Sequence, residues 1–274
     1  MMKKILLITV AWLCVMLVGC SGMPNPEPTQ PPVEPVVIGI LDTGISTRAI
    51  PLENIREGRN YLDPALSTED TYGHGTAVAS VILEVLPDAQ LVPLVCNAYD
   101  NGKIVQVDND VFAQMIRDAV DVYQCQIINL SVGLILDKPS IREAVAYAEE
   151  QGVLVVASVG NDYETDGSFR YYPAGYDTVL AVGSVNNDCT AISRFSQRGV
   201  WVDVYAPGED VTIATLSGNT RTSEGTSYSA ARVTAYAGLL LQKASGTLTA
   251  QELRQQVMES AETLPDGTIY IPAA

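Results

Sequence analysis

The chain has 274 residues, 47% of them hydrophobic, with 32 acidic side chains against 16 basic ones and a formal charge of −16. So acidic a chain does not grip nucleic acid, and it has no basic patches for anionic lipid. Its length suffices for one large domain beyond a short leader, and a single histidine, His74, limits any imidazole chemistry to one place.

At the N-terminus, Lys3 and Lys4 precede an apolar run from Ile5 to Val18. Basic start, short apolar stretch and small residues describe a secretory signal, and fourteen residues is short for a spanning helix. Leu17-Val18-Gly19-Cys20 resembles the bacterial lipobox, which implies that residues 1–19 are removed and Cys20 is lipidated. An ordinary signal with an incidental cysteine is the alternative. Residues 20–35 carry prolines at 24, 26, 28, 31, 32 and 35, a composition that favours extended conformations and suits a tether. Residues 36–274 are expected to form the domain. Its cysteines, Cys96, Cys125 and Cys189, are odd in number and lie in or near apolar stretches, so they read as buried thiols.

Val36 to Leu41 is a continuous apolar run, the mark of a strand covered on both faces, and Asp42 ends it. His74, flanked by Gly73 and Gly75, opens a helical stretch; a solvent-facing loop histidine is the plainer reading of such a residue. Further strands are predicted over Leu91–Cys96, Ile127–Leu130, Val153–Ala157 and Val179–Val185. Between them, Ser140 to Glu143 reads as a capping box, with Ile141, Ala144, Val145 and Ala148 at helical spacing. Asn161 follows the strand Val153–Ala157, Ser227 begins an apolar helix after Gly225, and Thr249 to Glu252 caps a last helix. Strands alternating with helices predict an α/β fold, a mostly parallel central sheet with helices on both faces. In that architecture, strand carboxyl ends and helix N-termini meet at one sheet edge, where ligands bind. Asp42, His74, Asn161 and Ser227 are all assigned to that edge.

The residue types suit amide cleavage. A serine hydroxyl needs a base to attack, which only His74 can be. Asp42 would hold the other ring nitrogen, while the Asn161 amide and the Ser227 N–H would stabilise the developing oxyanion. Gly225 removes bulk beside the nucleophile.

Asp-Thr-Gly at 42–44, His-Gly-Thr at 74–76, Asn129 to Gly133, Gly160-Asn161 and Gly225 to Ser227, with separations of 32, 87 and 66 residues between Asp42, His74, Asn161 and Ser227, resemble the subtilase family of serine peptidases. The resemblance implies a subtilisin-like fold and an endopeptidase; no cofactor is expected, and no metal either. It implies that an extended peptide lies between Ser131, Val132 and Gly133 on one side and Lys103, Ile104 and Val105 on the other, with Gly160 beside it. It also sets Tyr171 on the floor of the pocket for the residue before the cut, making that pocket shallow.

Asp162, Glu164 and Asp166 either favour a basic substrate residue or are simply solvated. Asp100, Asp108 and Asp110 are read as a solvated loop rather than calcium ligands. The loop that holds calcium in many relatives looks deleted after Leu83, and only the tether precedes the domain, leaving no room for an inhibitory propeptide. Tyr228 stands where methionine is common, and with Glu224 it would crowd the serine. The expected protein is therefore a monomeric, lipid-anchored peptidase of the bacterial envelope, acting outside the cytoplasmic membrane. Alternatives are a maturation peptidase for one secreted peptide and an inactive peptide-binding lipoprotein.

Overall fold

The computed structural model describes residues 34–272 apart from 101 and 167. Contacts along the chain separate Met1–Pro32 from a compact unit, Val33–Ala274, which carries everything below. The expected signal, Cys20 and the expected tether up to residue 33 lie outside the described residues.

Strand β1, Val37–Asp42, is buried at every position. Its alternating side chains explain the unbroken apolar sequence: Ile38 and Ile40 pack into one core while Val37 and Leu41 pack into another. After the short strand β2, Arg59–Asn60, come helix α1, His74–Val85, and strand β3, Gln90–Val95. A hairpin of β4, Asn97–Asp100, and β5, Lys103–Gln106, leads to α2, Asn109–Asp121, and β6, Ile127–Leu130. Then follow α3, Pro139–Glu150, β7, Leu154–Ser158, the single turn α4, Tyr163–Asp166, and β8, Val179–Val185. The chain continues through β9, Val204–Pro207, β10, Val211–Ala214, and β11, Thr220–Ser223, into α5, Thr226–Lys243. It closes with α6, Ala250–Glu259, β12, Glu262–Thr263, and β13, Ile269–Tyr270.

Nine strands make the central sheet in the order β12-β13-β9-β8-β7-β6-β1-β3-β2, and only the β12–β13 pair is antiparallel. Helices α1, α5 and α6 cover one face and α2 and α3 the other. From β1 the chain moves outward to β3 on one side, and β6 returns on the other. That reversal opens a crevice at the carboxyl ends of β1 and β6, the place where open α/β sheets bind ligands.

One predicted helix start is corrected. The capping box at Ser140 does not form; α3 begins at Pro139, with Lys138 as its N-cap and no side-chain cap. Proline has a fixed φ and no N–H, so it suits the first helical position and draws the start two residues upstream, the N-cap moving from Ser140 to Lys138. Ile141, Ala144, Val145 and Ala148 are nonetheless buried as their spacing predicts. The capping box at Thr249 and Glu252 is present. Cys96 and Cys125 are buried free thiols, and burial pushes Cys125 up to about 12. Cys189 is free too, but only half-buried.

Candidate active site

Asp42, the last residue of β1, is 1% exposed, and its carboxylate accepts from the Thr43 N–H at 2.8 Å. His74 is the first residue of α1, and its Nδ1 lies 2.8 and 2.9 Å from the two Asp42 oxygens. So short a reach requires the start of α1 to abut the end of β1. A Cβ on Gly75 would come within 2.2 Å of the Gly44 carbonyl oxygen, which is why glycine follows the histidine. The Gly75 N–H donates to Thr43 Oγ1 at 2.9 Å, stitching the two elements together.

Sequence reading missed the residue that holds this helix start. Gly73, the N-cap of α1, has no side chain to cap with. Buried Asp70 does so instead: Oδ1 accepts from the Tyr72 and Gly73 N–H groups at 2.9 and 2.7 Å, and Oδ2 accepts from the Thr76 N–H and hydroxyl at 2.9 and 2.7 Å. The usable signal was an aspartate followed two and three residues on by free backbone donors, just before a helix.

Burial disfavours a charged His74, but the charge and hydrogen bond of Asp42, with the charge of Asp70, outweigh it and hold the imidazole pKa above its ordinary value. Asp70→Asn removes one of the charges that stabilise the imidazolium, so the His74 pKa should fall. It also strips charge-assisted bonds from a buried cap, at a cost of roughly 1–3 kcal/mol. With one histidine in the chain, a proton NMR titration reads the first effect without assignment, and thermal unfolding reads the second. An unmoved titration would show that Asp70 acts only as a cap.

The second half of the site is the start of α5. Gly225 is its N-cap, with φ of 150°, and Ser227 is the second helical residue, only 8% exposed. Asn161 lies three residues beyond β7, and its Oδ1 accepts from both the Thr226 N–H and the Thr226 hydroxyl, each at 2.9 Å. A backbone N–H can donate only to the amide oxygen, so Thr226 fixes which way the Asn161 amide faces and leaves its NH2 as a donor. The Gly160 N–H reaches Thr226 Oγ1 at 3.3 Å. Across from it, Thr234 donates to Asn129, Asn129 to Ser131, and the Ser131 hydroxyl to the Ser227 carbonyl, at 2.9, 3.1 and 3.4 Å. This chain ties α5 to the end of β6.

Among the described residues, the Ser227 hydroxyl makes no hydrogen bond, to His74 or to any other group. Its neighbour Tyr228 lies with its ring 6.4 Å from the imidazole. That ring is buried in the core, its hydroxyl 3.2 Å from Ser223 Oγ, and Glu224 is exposed. Helix α5 forms in full around Tyr228.

A cleft of about 300 Å³ runs beside His74, lined on one side by Ser131, Val132 and Gly133 and on the other by Ile104, Tyr72 and Tyr99. The two tyrosine rings stack at 5.1 Å. Lys103 and Val105 are on exposed β5 but outside this lining, as alternation along a strand requires. Gly160 also lies outside it. Of the acids beyond Asn161, Asp162 accepts from the Tyr171 hydroxyl at 2.9 Å and Glu164 pairs with Arg194 at 2.8 Å. Asp108 caps α2 through the N–H groups of Asp110 and Val111. Among the described residues, no three His, Cys, Asp or Glu side chains cluster so as to hold a metal ion.

Residues 34–270 match the model of the subtilase family. Subtilisin BL of Lederbergia lenta is 35% identical over 246 residues, which is 86% of this chain and 86% of that protein. Subtilisin DY of Bacillus licheniformis is 32% identical, again with 86% of each covered. Among solved structures, a cold-adapted subtilisin-like serine proteinase superposes with a TM-score of 0.74 at 24% identity, covering 87% of this chain and 89% of that one, a likeness of fold. The chain belongs to the subtilase family and is a subtilisin-like serine endopeptidase.

Proposed function

We propose that Ser227 is the nucleophile and that His74 takes its proton through Nε2, the ring nitrogen opposite the one bonded to Asp42. Attack on the peptide carbonyl gives a tetrahedral intermediate whose oxyanion accepts from the Asn161 NH2 and the Ser227 N–H. The latter is one of the first-turn donors that a helix leaves without an internal partner. The imidazolium, stabilised by Asp42, then gives its proton to the leaving amine, and water repeats the sequence on the acyl-enzyme. The observation that carries this reading is the paired contact of His74 Nδ1 with buried Asp42, which fixes the tautomer and leaves Nε2 as the basic nitrogen. A fluorophosphonate probe should label the wild-type protein and not Ser227→Ala; equal labelling of both ends the assignment.

The substrate is an extended peptide held by strand addition between Ser131–Gly133 and the β5 edge at Lys103–Val105, with Ile104 facing it. Support for this comes from the cleft, which these two segments flank. The protein acts as a monomer outside the bacterial cytoplasmic membrane, held in the envelope by a lipid on Cys20 and spaced from it by the proline-rich segment. Membrane fractionation tests the anchor: Cys20→Ser should move the protein from the membrane to the soluble fraction, and an unchanged membrane share would argue against lipidation at that residue.

A further inference from the structure

We infer that Tyr171 occupies the slot for the side chain next to the scissile bond, and that the enzyme therefore cuts after glycine or alanine and excludes larger residues. This rests on the nucleophile assignment above.

Two segments flank the start of α5. Ser131, at the end of β6, donates to the Ser227 carbonyl, and the Gly160 N–H donates to Thr226. On the nucleophile assignment, the side chain adjoining the attacked carbonyl enters between those segments, which contact the residues on either side of the Ser227 N–H. Both are glycine at the facing positions, Gly133 and Gly160, and two facing glycines leave room for a side chain. In this protein the room is taken. A Cβ on Gly133 would lie 3.2 Å from Tyr171 Cδ1, and one on Gly160 would lie 2.7 Å from Cδ2 on the other edge of the ring. The ring is wedged between the two backbones.

It is also fixed there. Its hydroxyl donates to Asp162 Oδ2 at 2.9 Å. The next residue, Tyr172, exchanges two backbone hydrogen bonds with Leu134, at 2.7 and 2.8 Å, one residue beyond Gly133. Gln197, fully buried, accepts from the Phe169 N–H at 2.8 Å and donates its own N–H to the Gly160 carbonyl at 3.0 Å, so the segment carrying Tyr171 and the Gly160 side of the slot share one support. Gly133 lines the 300 Å³ cleft, whereas Tyr171 and Gly160 are not among its lining residues.

The test uses full-length protein and four peptide p-nitroanilides that differ only in the residue before the anilide: glycine, alanine, leucine and phenylalanine. Wild type should favour glycine and alanine over phenylalanine by roughly 10²-fold in kcat/KM, the upper range for discrimination by pocket volume. Tyr171→Ala should raise kcat/KM for phenylalanine at least ~10-fold while glycine gains nothing, a reversal that lost stability cannot mimic. Tyr171→Phe keeps the ring and should retain the wild-type order. Wild type cleaving phenylalanine as well as alanine overturns the inference, as does a Tyr171→Ala enzyme uniformly slower on all four. So does an enzyme that is labelled at Ser227 yet cleaves none of them. Absence of labelling at Ser227 instead sinks the nucleophile reading itself.

Discussion

Ser227→Ala should fold as the wild type does and lose about 10⁶-fold in kcat, the scale set by the equivalent knock-out in subtilisin itself. Stability should change by less than roughly 0.5 kcal/mol, because the deleted hydroxyl makes no hydrogen bond among the described residues. On the proposed assignment the rate loss is large because the hydroxyl supplies the covalent step. A residue of roughly 10³–10⁴ over water should survive, since the Asn161 amide and the Ser227 N–H remain. Single-turnover kinetics alongside thermal unfolding would separate the two quantities. A loss of only tenfold would mean that another group attacks.

Asp42→Asn should lower kcat by about 10⁴ with little change in KM. Asp42 is 1% exposed, and both of its oxygens lie within 2.9 Å of His74 Nδ1. An amide keeps the shape but removes the negative charge that stabilises the imidazolium. It can also turn its NH2 toward Nδ1, which would place the ring proton on Nε2 and leave no base for the serine. The His74 pKa should drop as well, since the Asp42 charge is the foremost influence raising it against burial. Because only neutral imidazole accepts a proton, the acid limb of the residual activity should move to lower pH. The double variant Asp42→Asn with Ser227→Ala should be no slower than Ser227→Ala alone, as the two act on one step. Additive losses would show that Asp42 contributes outside the triad.

Much of this was legible in the chain. Runs such as Val37–Leu41 and Val179–Val185 are apolar on successive residues because both faces of their strands are covered, and that alone places them in a parallel sheet. His74 could be singled out because it has no competitor, and Asp42 because it ends a buried strand in a charged group. The helix start at Pro139 was misjudged because Ser140 and Glu143 match a cap locally, whereas proline settled the boundary. Asp70 was missed because its partners are backbone N–H groups, which a sequence of side chains does not display.

By itself the sequence determined the fold class and the candidate chemical groups, through periodicity and residue types, while the family was indicated by the resemblance of its motifs. Only the tertiary structure decided that Thr226 orients the Asn161 amide, that Tyr228 turns into the core and that the Tyr171 ring lies between Gly133 and Gly160. Each of these is a contact between groups distant in the chain or a choice between two directions for one side chain. Such choices are made by packing, in which every atom excludes others from its volume, and pattern along a chain carries no record of that exclusion.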